Sequence, residues 1–261
     1  MSKGFFHGAM RTHFHGVAVD VARAEASRFR HPLLLLHGLW TGSAIWRGAM
    51  GYLAHRGWDS WAPSFLEGDH PIADRGPLLI DLCRTLAAPP VVVGHDAGAY
   101  LATDLATALD LPAVVAVTPL LSRRDAGRAG IFAWPRLWRA RFFGATLPPP
   151  AGVAAAAYKA AEDVVRPDSA ALFRRVAAAS MPGADRPSLL IGSAGDPITD
   201  PGDVERLARE RGWSFHRHDG RGHFPMVEPG WERLADDVHR WLVRTLGEEL
   251  LVFLDDGEDR E

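Results

Sequence analysis

The stretch Val91-Val92-Val93-Gly94-His95-Asp96-Ala97-Gly98-Ala99-Tyr100 constrains this chain most. Three consecutive β-branched residues predict a buried strand. Residues 99–108, poor in β-branched residues and free of proline, predict a helix. Gly94 and Gly98 bracket Asp96. A strand that turns at once into a helix brings two backbones close together, so small residues are needed on both sides of the turn. The residue at the apex then stands above the sheet at a helix N-terminus, where peptide dipoles favour a negative charge. That residue here is an aspartate.

Around this turn the chain alternates strands and helices. Leu33–Leu36 is a continuous apolar run, the mark of a strand covered on both faces. It leads into His37-Gly38-Leu39-Trp40. Residues 45–55 carry Trp46, Met50 and Leu53 at helical spacing and stop at Gly57. Residues 58–61 predict a strand stopped by Pro63, residues 78–86 a helix ended by Pro89-Pro90, and residues 113–117 another buried strand. The alternation resumes with strands at 188–192 and 214–218 and helices at 203–211 and 231–246. Residues 14–21 predict one or two edge strands. Such alternation makes right-handed βαβ units, so the fold class is α/β: a mostly parallel sheet with helices on both faces.

Residues 120–186 break the pattern and are too long for an ordinary loop. They predict an inserted, mainly helical cap containing an alanine-rich helix over residues 153–164. The expected division is a core of residues 1–119 and 187–247, the cap, and an acidic tail of residues 248–261.

Composition narrows the function classes. A net charge of −3 gives no reason to expect a nucleic-acid partner. The single cysteine, Cys83, rules out an internal disulfide and suits a reducing compartment. With no signal-like or bilayer-length apolar run, the expectation is a soluble cytoplasmic protein acting on a small molecule, of unspecified oligomeric state. His216 and His218 lie two apart on a predicted strand, and no cysteine or glutamate completes a metal set with His223. No metal and no organic cofactor are expected.

Three loops fall at the carboxyl ends of predicted strands, where open α/β sheets place their sites. One holds Asp96, the second is Gly192-Ser193-Ala194-Gly195-Asp196-Pro197, and the third is Gly220-Arg221-Gly222-His223-Phe224-Pro225. Asp200 competes with Asp196 for the second position but reads better as a helix cap. Taken in order, LLLLHG, VVVGHDAGA, LLIGSAGDPITDP and GRGHFPMVEP make the chain resemble the α/β-hydrolase superfamily from Leu33 to Leu246. That resemblance implies a nucleophile, acid and histidine in chain order.

An aspartate at the turn is similar to the subgroup of epoxide hydrolases, haloalkane dehalogenases and fluoroacetate dehalogenases. The resemblance implies that Asp96 attacks a saturated carbon to form an alkyl ester. His223 would then activate water against that ester, and Asp196 would orient the imidazole. An oxyanion hole would come from the N–H groups of Ala97 and of Leu39 or Trp40. Ala97 stands where dehalogenases of the subgroup carry tryptophan or arginine, so epoxide opening leads and carbon–halogen cleavage follows. Ester hydrolysis ranks lower, because carboxylate attack at a carbonyl gives an anhydride. Trp40, Phe224 and the cap tyrosine Tyr158 are the substrate-binding candidates, Tyr158 as the acid for ring opening. A binding protein of the same fold without turnover is the rival of another class. Arg123, Arg124, Arg128, Arg136, Arg139 and Arg141, with aromatic residues between them, also raise contact with an anionic or membrane surface, set against a solvated cap face.

Overall fold

The computed structural model describes residues 9–66, 74–126, 146–147 and 166–247. Its centre is an eight-stranded sheet in the order β1-β2-β4-β3-β5-β6-β9-β10. These strands are β1 (Ala9–Phe14), β2 (Val17–Ala22), β3 (Leu33–Leu36), β4 (Ser60–Ser64), β5 (Val91–His95), β6 (Val114–Val117), β9 (Ser188–Ser193) and β10 (Ser214–His218). Strands β7 (Thr146–Leu147) and β8 (Asp168–Ser169) form a separate antiparallel pair. Only β1–β2 and β2–β4 in the main sheet are antiparallel; the other five pairings are parallel.

The described helices are α1 (Arg47–His55), α2 (Gly76–Thr85), α3 (Ala97–Ala108), α4 (Ala170–Ala178), α5 (Pro201–Arg211) and α6 (Glu232–Leu246), with a single 3-10 turn at Ser43–Trp46. Leu35, Val93 and Val117 face Trp46 and Leu53 from the first helical segment and Leu234 and Val238 from α6. Ala116 and Leu190 pack with Ala99 of α3 and Val204, Leu207 and Ala208 of α5. The central strands are therefore covered by apolar helix faces on both sides, which accounts for their unbroken apolar sequence.

β1 and β2 form a hairpin whose turn, His15 and Gly16, has φ of 48° and 80°. Two successive positive φ values match the twist of the flanking strands. β4 runs through Pro63, contrary to the expectation that proline would stop it. β3 pairs only with Ser60 and Trp61, so at Pro63 the strand has one neighbour, β2. A missing N–H is tolerated there. Helix α4, absent from the sequence reading, is N-capped by Ser169, whose hydroxyl accepts the Leu172 N–H (3.3 Å). Its Leu172, Phe173 and Val176 join the main core. The expected helix over residues 153–164, most of the arginine-aromatic stretch and the acidic tail lie outside the described residues. Among the described residues no helix is long and apolar enough to cross a membrane.

Candidate active site

Asp96 sits between β5 and α3 with φ 53° and ψ −121°, a backbone region that costs a residue with a side chain roughly 1–3 kcal/mol. The surrounding hydrogen bonds impose it. The Asp96 N–H donates to the Val117 carbonyl (3.2 Å), and the Asp96 carbonyl accepts from Ala99 (3.1 Å) and Leu120 (3.2 Å). The turn is tight because its glycines touch backbone. A Cβ on Gly94 would lie 2.1 Å from the Gly98 carbonyl oxygen, and one on Gly98 would lie 2.5 Å from that of Leu36. A Cβ on Gly38 would meet Asp96 Cβ at 2.3 Å, so the oxyanion loop lies directly against the side chain at the apex.

The carboxylate of Asp96 is wholly buried and its two oxygens have different surroundings. Oδ1 accepts the Leu39 N–H (3.0 Å) and its neighbour's, Ala97 (2.5 Å). Oδ2 faces His223 Nε2 at 3.1 Å. Burial works against the charged form. The hydrogen bond and charge of His223 and the Leu39 N–H outweigh it and hold the carboxyl below its ordinary range.

His223 lies between two carboxylates. Its Nδ1–H donates to both oxygens of Asp196 (3.0 and 2.9 Å), while Nε2 faces Asp96. Burial would favour the neutral ring, but the charge and hydrogen bonds of Asp196, and then of Asp96, push His223 up to about 10. The resting ring is an imidazolium with a carboxylate at each nitrogen. Its loop is fixed by groups the sequence reading did not single out. Glu228 accepts the N–H of Gly222 (2.7 Å) and of Phe224 (3.2 Å), on either side of the histidine. The His223 carbonyl accepts from His95 Nε2 (2.8 Å) and the Thr118 hydroxyl (2.9 Å). Burial, and next the charge of His223, lower His95 to about 4, so it stays neutral and serves as a fixed donor.

Asp196, not Asp200, reaches the imidazole. Its Oδ1 also accepts the N–H groups of Ile198 (2.8 Å) and Thr199 (3.3 Å), which orient the carboxylate. Asp200 caps α5 by accepting the Gly202 N–H (2.7 Å).

Of the two amides expected as alternatives for an oxyanion hole, the Leu39 N–H points at Asp96. The Trp40 N–H donates instead to Asp168 Oδ2 (3.1 Å), with Trp40 at φ 63°. Trp40 also accepts the Arg166 N–H on its carbonyl (3.0 Å). Asp168 in turn pairs with Arg75 at 2.6 Å, both side chains fully buried. Removing one member of such a pair leaves the other charge uncompensated. The Gly38–Leu39 peptide is held at its other end. His37 Nδ1–H donates to the Gly38 carbonyl (2.7 Å), and His37 Nε2 accepts the Phe65 N–H (3.0 Å). Burial, then the charge of Arg75, keep His37 well below its ordinary range, so one ring nitrogen donates while the other accepts.

The other candidates are placed as follows. Tyr158 lies outside the described residues. Phe224 is fully buried, its ring centroid 5.1 Å from that of His95 and 5.0 Å from that of His223, so it supports the imidazoles. Trp40 is fully buried beside Asp168. His216 and His218 lie on β10, and the His218 side chain pairs with Asp237 of α6 (3.0 Å).

Known proteins agree with this geometry at the level of fold. A comparison with curated proteins finds no match. Among solved structures the chain is similar to a monoacylglycerol lipase of Paleococcus ferrophilus, at 20% identity and a TM-score of 0.65, covering 87% of this chain and 99% of that one. It is also similar to a monoglyceride lipase of Saccharomyces cerevisiae in a soluble variant (15%, TM-score 0.67, 90% and 94%). An esterase of Thermogutta terrifontis is a third (19%, TM-score 0.62, 91% and 98%). A sequence model of the alpha/beta hydrolase family matches residues 33–237, from the first parallel strand into the closing helix. The parallel sheet, the strained turn after β5 and this match over most of the chain together show that the protein belongs to the alpha/beta hydrolase family.

Proposed function

We propose that the protein is a hydrolase that works through a covalent ester on Asp96 and acts at a saturated carbon of a small apolar substrate, with epoxides as the leading class. The observation that carries this reading is the asymmetry of the Asp96 carboxylate. Oδ1 already occupies the oxyanion hole formed by Leu39 and Ala97. Among the described residues Oδ2 has no backbone donor and is left to attack. A carboxylate held ionised needs no base for that attack, unlike a serine hydroxyl.

The first step forms a C–O bond from Oδ2 and breaks the carbon–oxygen bond of the epoxide. Asp96 becomes a neutral ester. The charge and hydrogen bond it gave to Nε2 disappear, leaving burial opposed by Asp196 alone, so the imidazolium gives up its proton while the alkoxide left by ring opening takes one up. Neutral His223 then removes a proton from water attacking Cγ. The negative charge that develops on Oδ1 meets the two N–H groups already in place. Collapse breaks the bond between Cγ and Oδ2; the departing oxygen takes the proton held by His223 and leaves as the diol, and the new carboxyl returns its own proton to the imidazole.

Haloalkanes would enter the same two steps. Ala97 offers no side-chain N–H beside the nucleophile to hold a departing halide, which favours epoxides. Ester hydrolysis is the second reading, favoured by similar structures described as lipases and esterases. It would proceed through an acyl anhydride on Asp96.

Replacing His223 by alanine removes the base of the second step and keeps the carboxylate that carries out the first. Incubated with a panel of epoxides, haloalkanes and simple esters, His223→Ala is expected to gain the mass of one epoxide on the peptide carrying Asp96. A halide-displaced adduct or an acyl adduct would move the substrate class accordingly. No adduct across the panel would favour the ligand-binding protein without turnover.

A further inference from the structure

We propose that Asp168, 72 residues beyond the nucleophile in sequence, is the positioning residue for the oxyanion hole: by accepting the Trp40 N–H it aims the preceding Leu39 N–H at Asp96. Two successive amides, Leu39 and Trp40, point at two different buried carboxylates. A residue with a side chain avoids the left-handed region, so the φ of 63° at Trp40 must be imposed. Both sides of its Cα are held by residues 166–168. The Arg166 N–H binds the Trp40 carbonyl and Asp168 binds the Trp40 N–H. Releasing the N–H frees the Leu39–Trp40 peptide to rotate. The Leu39 N–H then relies on the restraint from His37 on the Gly38 carbonyl. Asp168 is itself fixed. Arg75 and the Ser169 N–H, both at 2.6 Å, hold Oδ1 and leave Oδ2 for Trp40.

This assignment rests on the two-step reading for its kinetic consequence, though not for its structural one. Charge develops on Oδ1 in ester hydrolysis and is lost from the carboxylate in ester formation. A misaimed Leu39 N–H therefore slows the second step and leaves the first nearly unchanged, so the ester accumulates with His223 intact.

The experiment compares two double variants from which the buried ion pair has been removed equally: Arg75→Met with Asp168→Asn, and Arg75→Met with Asp168→Leu. Only the first keeps an oxygen able to accept the Trp40 N–H. With an epoxide that forms the His223→Ala adduct, the asparagine variant is expected to hydrolyse its ester within a few-fold of the wild type. The leucine variant is expected to slow that step by about 10²-fold, the scale of losing one oxyanion donor. Amide NMR supplies a readout that needs no substrate: the Leu39 signal shifts in the leucine variant and stays near its wild-type position in the asparagine variant. If both fold and behave alike in rates and in the Leu39 signal, Asp168 has only a structural part and the proposal is overturned. If the leucine variant does not fold, a folded asparagine variant with wild-type hydrolysis supports the proposal, and one with slowed hydrolysis and an unmoved Leu39 signal overturns it. A shifted Leu39 signal in the leucine variant, together with no adduct on His223→Ala, would sink the proposed chemistry and leave the positioning intact.

Discussion

Asp96→Ala is expected to abolish hydrolysis, with a loss of at least about 10⁴-fold in kcat, as when the nucleophile of a cooperating triad is removed. The methyl group carries neither the attacking oxygen nor the one seated between Leu39 and Ala97. It leaves His223 with Asp196 alone. The remaining groups could still activate water, so the size of the residual rate reports how much of the reaction needs a covalent bond. The measurement is steady-state turnover of an epoxide that forms the His223→Ala adduct, with circular dichroism to show that the variant is folded. Alanine keeps the Cβ against which Gly38 lies and adds no atoms, so the fold is expected to survive. A residual rate within tenfold of the wild type would mean that Asp96 is not the nucleophile.

Gly94→Ala is expected to have the largest effect on stability, a loss of about 3 kcal/mol or more, beyond ordinary overpacking. The added Cβ would lie 2.1 Å from the Gly98 carbonyl oxygen, 2.4 Å from its carbon and 2.6 Å from the Ala99 nitrogen. These are backbone atoms in the first turn of α3, so no side chain can swing away. The helix must move off the strand instead. That would disturb Asp96, whose backbone is hydrogen-bonded to Ala99 of α3 and to Val117 at the end of β6. For a chain of this size a loss on that scale lowers Tm by roughly 10 °C. Differential scanning calorimetry would measure it, and a change under 2 °C would show that the turn is looser than the contacts indicate.

Some of this architecture is legible in the sequence because burial leaves a local mark. Leu33–Leu36 and Val91-Val92-Val93 read as strands because both faces of the sheet are covered. Gly94 and Gly98 mark the turn because nothing larger fits. Asp200 is separable from Asp196 because a cap precedes Pro201 at the start of a helix. Other features depend on partners distant in the chain. The Trp40 N–H goes to Asp168, 128 residues away, while the Leu39 N–H goes to Asp96, and no local pattern carries that. The Arg75–Asp168 pair, spanning 93 residues, is equally silent. Pro63 inside β4 is permitted by the shortness of the β3–β4 pairing, which depends on sheet order and not on the residues around the proline. Glu228 lay within a motif already marked, and its role emerges only when its carboxylate is seen to bridge the amides flanking His223.

The central claim, that the oxygen added to the product comes from Asp96, is tested most directly by a single turnover in ¹⁸O-labelled water with enzyme in excess over an epoxide. Attack by Oδ2 followed by hydrolysis at Cγ predicts a product without label and one ¹⁸O atom on the peptide carrying Asp96. Label in the product of the first turnover, with none on that peptide, would show that water attacks the substrate directly and would contradict the covalent mechanism.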